Sequence, residues 1–137
     1  MAAFVATNFV VTIAGTNVSD HVTAIDMPIE YAEVDQTAMG DDATNFLAGL
    51  ANATVTVGLH QDYASSSVDS LLWTNKGTAV TVTVKATSAA TSATNPLYSG
   101  SFLMSRVNPV PGQIGSLSTL TLTWPLASGT LPTRATA

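Results

Sequence analysis

The sequence contains no cysteine, only two histidines, and no lysine or arginine before Lys76. Without cysteine there are no disulfides and no thiolate metal sites, and the chain is compatible with a reducing compartment. No uninterrupted apolar run approaches the ~20 residues that a membrane helix needs. The opening residues lack the basic flank of a signal peptide. The expectation is a chain made and used without export and with no membrane partner. Charge is scarce as well: only 9% of residues are charged, against the roughly 25–35% usual on a dispersed soluble surface. Much of this surface is therefore expected to end against other protein.

What is present is hydroxylated and apolar. Serine and threonine make up about a quarter of the chain and 46% of residues are hydrophobic, a mixture that favours strands over helices. At 137 residues the chain fits one domain with a single core. The net charge is −5, and all nine acids, from Asp20 to Asp69, precede the four cations Lys76, Lys85, Arg106 and Arg134. An acidic balance disfavours nucleic-acid binding through a basic patch. It allows a surface of one sign that repels charged partners.

The period of the apolar residues is two almost throughout, so side chains alternate between faces. A first strand carries Phe9, Val11 and Ile13 on one face and ends at Gly15-Thr16-Asn17. A second, over 22–35, places Ile25, Met27, Ile29 and Tyr31 opposite Asp26 and Glu30. Pro28 lies inside it, which requires an edge, a bulge or a non-bonded position. Residues 36–49 show no period and read as a long loop containing Thr37, Met39, Asp41, Asp42, Phe46 and Leu47. Long loops are functional or disordered, and Phe46 and Leu47 need a partner if exposed.

A third strand over 53–61 puts Thr54, Thr56 and His60 opposite Val55, Val57 and Leu59, and is expected to pair with the second. Residues 66–75 switch to a helical stripe of Val68, Leu71 and Leu72, with Ser66 and Asp69 in a capping arrangement and Gly77 closing the helix. Strands then follow over 80–85, 97–107 and 117–126. In the second of these Ser99, Ser101 and Ser105 oppose Tyr98, Phe102 and Met104. In the last Thr119, Thr121 and Thr123 oppose Leu120, Leu122 and Trp124. The termini, about 1–7 and 127–137, read as mobile or extended arms. The fold class is mainly β, a two-layer sandwich or barrel with one short helix. On the second, third, fifth and sixth of these strands the outward face is small and hydroxylated apart from Asp26 and Glu30, without the lysines that guard exposed strands.

Chemical motifs are missing. His21 and His60 have no accompanying nucleophile elbow or cysteine, and His21 beside Asp20 reads as a turn residue. Asp41-Asp42 after Gly40 lacks the spacing of a calcium loop. No phosphate-cradling glycine motif occurs, so no cofactor and no enzymatic activity are expected. Of Trp73, Trp124, Tyr31, Tyr98 and Phe102, all but Trp73 fall on the apolar faces of their strands, and the group reads as core rather than as a sugar-stacking platform.

With these stretches in order, IAGTNVSDHV, VDQTAMGDDATNFLAGLANATVTV, SVDSLLW, TAVTVTV, NPLYSGSFLMSRVNP and LTLTW, the chain resembles the tail tube (major tail) proteins of long-tailed, siphovirus-like bacteriophages over about residues 4–126. The resemblance implies a sandwich that closes into hexameric rings, with one sheet of each subunit joining an inner barrel and the rings stacking into a hollow tube. It implies as partners other copies of the chain and other phage tail proteins. DNA passes without specific binding, and the location is the virion tail after synthesis in the host cytoplasm. By this analogy Asp26, Glu30, Thr54, Thr56, Ser101 and Thr121 face the lumen, and the 36–49 loop touches the next ring. A capsid decoration protein and, from a different class, a carbohydrate-binding module are the alternatives.

Overall fold

The computed structural model describes residue 5 and residues 7–137. Two antiparallel sheets face each other. The first contains β1 (Val10–Ile13), β2 (Thr16–Asn17), β6 (Ala79–Lys85), β7 (Leu97–Leu103) and β9 (Thr133–Ala135), in the order β2-β1-β6-β7-β9. The second is organised on β5 (Phe46–His60), which pairs with β3 (Val22–Asp26), β4 (Ile29–Asp35) and β8 (Thr119–Pro125). A 3-10 turn at Ser19–His21 leads into β3, and one helix, α1 (Val68–Asn75), follows β5. A mainly β sandwich with one helix is what the alternating pattern predicts.

The core forms where the inner faces of the two sheets meet. Val55, Val57 and Leu59 of β5 and Leu120, Leu122 and Trp124 of β8 pack opposite Val11, Ile13, Val80, Val82, Val84 and Phe102. Helix α1 adds Val68 and Leu72. Trp124 is fully buried and its indole Nε1–H donates to the Arg106 carbonyl at 2.9 Å, which ties the connection after β7 to the core.

Several boundaries differ from the sequence reading. The strand expected over 22–35 is two strands, because Met27-Pro28 interrupts the ladder between Asp26, opposite Thr56, and Ile29, opposite Ala53. Proline has no N–H to contribute there. The loop expected over 36–49 shrinks to 36–45, since β5 begins at Phe46. Phe46 and Leu47 are thus strand residues, opposite Asp35 and Val34. The expected tail arm also returns: β9 pairs Ala135, Arg134 and Thr133 with Leu97, Tyr98 and Ser99. The N-terminal arm, 1–7, lies mostly outside the described residues.

The start of α1 departs in detail. Ser67, not Ser66, is the N-cap residue, and its side chain caps nothing. Its hydroxyl instead donates to Asp62 at 2.6 Å. Ser66 adopts a left-handed φ of +62°. Gly77, at φ +75°, donates its N–H to the Met104 carbonyl at 2.8 Å, so it joins α1 to the chain after β7 rather than closing the helix on itself.

Candidate assembly surfaces

Strand β5 is 15 residues long, about 50 Å at ordinary strand rise. Only its second half, 53–60, lies over the core. The first half pairs with β4 alone and projects as a two-stranded arm of about 20 Å. The two strands shift register between Tyr31–Ala51 and Glu33–Ala48, so β5 carries one extra residue opposite Ala32. The bulge depends on Gly49: a Cβ there would lie 3.0 Å from Val34 Cγ2 and 3.2 Å from the Ala32 carbonyl oxygen. A bulge of this kind bends its strand and increases the local twist.

The arm is apolar and largely unburied. Ile29, Tyr31, Val34, Phe46 and Leu47 are each about half exposed, Leu50 is 90% exposed, and Met39 at the tip is fully exposed. Isolated two-stranded ribbons are marginal in water, so such a row of side chains is a candidate contact surface. The tip is ordered by its own hydrogen bonds. Gln36 N–H donates to the Asn45 carbonyl at 2.8 Å, Asn45 N–H to Thr37 Oγ1 at 2.7 Å, and Ala38 N–H to Asp41 Oδ2 at 2.8 Å. Asp35 accepts from Thr37, which holds its carboxyl below the usual carboxylate range. Thr37, Met39, Asp41 and Asp42 therefore occupy a built turn, with Phe46 and Leu47 on the strand just behind it.

The outward face of the second sheet is the other candidate. Partners in an antiparallel ladder share a face, so Asp26, Thr56 and Thr123 form one row, with Thr56 and Thr123 hydroxyls 3.1 Å apart. Thr121 stands opposite Gly58, Thr54 opposite Pro125, and Glu30 opposite Asn52 at the base of the arm. Asp26 and Glu30 thus share this face, and both are exposed. The close approach of Thr23 Oγ1, 2.7 Å from where a Gly58 Cβ would stand, keeps the middle of the face flat. Ser101 does not belong here. It pairs with Thr81 in the other sheet, because β7 hydrogen-bonds to β6 and not to β5 or β8.

The edges of this sheet complete the picture. Among the described residues β3, β4 and β8 each pair with one strand, β5, apart from a single bridge between Leu126, just after β8, and Phe102. Among the described residues both edges therefore offer backbone donors and acceptors that no strand pairs. A groove of about 550 Å³ runs along the β3 edge between 7–9 and 22–25.

The histidine cluster does not form a catalytic triad. His21 Nε2 lies 3.5 Å from Asp62 Oδ2, 3.7 Å from Asp20 Oδ1 and 3.4 Å from Ser67 Oγ. A triad places the carboxylate on the ring nitrogen opposite the serine. Here carboxylate and hydroxyl crowd the same nitrogen, and Ser67 donates its proton to Asp62. The Asp62 carboxyl is held low chiefly by that hydroxyl and by the Ala64 N–H. No group of three or more metal-ligating side chains assembles among the described residues. None of the helices there is long and apolar enough to cross a membrane. Of the aromatics read as core, Phe102 and Trp124 are fully buried, whereas Tyr31 is 57% and Tyr98 39% exposed, because both stand where the sandwich opens toward the arm.

No protein-family model matches the sequence, and no curated protein matches it. The fold is nevertheless shared: a chain from the virion of a native gene transfer agent particle superposes with a TM-score of 0.75 at 12% identity, over 97% of this chain and 99% of that one.

Proposed function

We propose that this chain is a structural protein of a phage-like virion that closes into rings, six subunits in each, and stacks them into a tail tube through which DNA passes. The observation that carries the reading is the second sheet: two unguarded edges, a smooth hydroxylated face and an apolar arm rising from one end. Pairing the β8 edge of one copy with the β3/β4 edge of the next satisfies both sets of backbone groups and closes a barrel without free edges. A fold shared with a chain of a gene transfer agent virion supports the same assignment.

In such a ring the row Asp26, Thr56 and Thr123, with Thr54, Thr121 and Glu30, lines the bore. Each ring then repeats Asp26 and Glu30 around a channel whose walls carry no cation. Their field repels phosphates within a Debye length of about 8 Å at physiological salt. The channel resists sticking, since cationic contacts are what hold DNA. Other tail proteins meet the ends of the tube, and the protein resides in the tail of the particle.

Negative-stain images of the purified chain test the assignment. Rings or tubes are expected, and a monodisperse monomer at high concentration overturns it. Discrete compact trimers would instead favour decoration of a capsid. In particles carrying Asp26→Lys with Glu30→Lys, tubes assemble and DNA delivery falls; unchanged delivery rules out a role for the acids in the bore.

A further inference from the structure

The core does not fill the sandwich to its end. Beside the base of the arm the two sheets part around a cleft of about 240 Å³, walled by Ile25, Met27 and Ile29 from one side and by Phe9, Val84 and Tyr98 from the other. Phe9, Ile25 and Met27 pack against the core, whereas Ile29 is nearly half exposed and stands at the mouth. The volume is roughly that of eight water molecules, and lies below the ~300 Å³ at which drug-sized pockets begin. An apolar body entering it displaces water that finds few polar partners on these walls.

The polar groups stand at the rim. Tyr98 is partly exposed, and its hydroxyl accepts from Arg134 Nε at 3.3 Å. Arg134 is placed there by the pairing of β9 with β7, in which it stands opposite Tyr98. Its two terminal amino groups remain as donors in a planar fork, and no ion pair engages them among the described residues. No acid follows Asp69 in the sequence, so β6, β7 and β9 bring no carboxylate to this side of the mouth. Asp26 also borders the cleft, but the ladder turns its side chain to the outward face with Thr56.

We infer that this cleft binds a small anionic amphiphile, a single short acyl chain lying against Ile25, Met27 and Val84 with its carboxylate on Arg134 and Tyr98. The arginine fork matches a carboxylate in two parallel hydrogen bonds. The Tyr98 hydroxyl, which accepts from Arg134, keeps its own proton for the same carboxylate. A two-chain phospholipid exceeds the cleft, so the ligand is a free amphiphile rather than a lipid surface. The site lies within one copy of the chain and stands apart from the ring reading.

Calorimetric titration of the purified protein with octanoate, beside octanol and octylamine, reads the head group, and hydrogen exchange followed by mass spectrometry reads the place. Saturable octanoate binding is expected, with protection gained at 25–29 and 133–135 and with weaker binding of octanol and octylamine. Arg134→Gln, at an exposed position of a three-residue strand, should weaken octanoate about tenfold or more, and Arg134→Lys should recover part of the loss. Ile29→Trp, at the mouth, should block octanoate and octanol alike. No saturable octanoate binding, octylamine binding as tightly as octanoate, unchanged affinity in Arg134→Gln, or protection confined to the arm at 46–50 each overturns the proposal. Flotation with phosphatidylglycerol vesicles in protein that ignores octanoate overturns it in favour of a lipid surface.

Discussion

The two halves of β5 share one backbone geometry and almost nothing else. From Ala53 to Leu59 the odd-numbered side chains are buried between sheets, and β5 has a partner strand on each side. From Phe46 to Asn52 every side chain is at least partly exposed and β4 is the sole partner. Strand identity is therefore set locally, whereas strand stability is set by what lies above and beside it. In the body the hydrophobic core supplies that support; in the arm it is missing.

The difference is largest for apolar truncations. Trp124→Ala removes a fully buried ring and its hydrogen bond to Arg106, and should cost about 3–5 kcal/mol in denaturant unfolding of the monomer. Leu50→Ala in the arm should stay within about 0.5 kcal/mol, because that side chain is already in water. A Leu50 variant that unfolds as readily as the Trp124 variant would show that arm and body form one cooperative unit, and would dissolve the contrast.

Two glycines sharpen it. A Cβ at Gly58 meets Thr23 Oγ1 at 2.7 Å across the centre of the sheet, so Gly58→Ala should destabilise the body by about 1–3 kcal/mol. Pairing it with Thr23→Ala removes the clash and should recover part of the loss. Gly49→Ala meets Val34 Cγ2 and the Ala32 carbonyl instead, within the bulge of the arm. It should leave the unfolding midpoint nearly unchanged while raising amide exchange at Ala32 and Val34. Equal midpoints for the two variants would refute the assignment of Gly58 to the cooperative core.

The same contrast explains which parts were legible in the sequence. Ala79–Lys85 and Thr119–Pro125 alternate without interruption, and both are strands where the pattern puts them. Residues 46–49 read as loop because the extra residue opposite Ala32 shifts the parity of Phe46–Ala48 against the rest of the strand. A period-two search loses phase at such a bulge. Ser101 shows a second limit: alternation reports that a residue faces outward but not from which sheet, and β7 belongs with β6. The three residues of β9 are too few to carry a period. Val110 sits in a proline-rich stretch that reads as turn, and Leu117, the first residue of the strand expected over 117–126, precedes Thr119, where β8 begins. Asp26 and Glu30 share the outward face that the alternation predicts, and Thr37 to Asp42 form a hydrogen-bonded turn within the stretch that reads as loop.

The smallest effect separates two carboxylates with similar local bonding. Asp62 accepts from Ser67 and Ala64 beside α1, and Asp35 from Thr37 at the tip of the arm; both are held below the ordinary carboxylate range. A carboxyl whose folded pKa is depressed contributes stability that is fully present above its unfolded value of about 4 and is lost as pH falls through the folded value. Acidification from pH 5 to pH 3 should therefore lower the unfolding midpoint, and Asp62→Asn should remove part of that slope. Asp35→Asn should leave the slope as it is, because the arm is expected to open before the body unfolds, so its Thr37 hydrogen bonds are already lost at the midpoint. Its effect should show instead as faster amide exchange at Thr37 at pH 5, with the rest of the protein protected as before. If Asp35→Asn flattened the slope as much as Asp62→Asn, the arm would have to be counted within the folded unit, even without a neighbouring molecule to hold it.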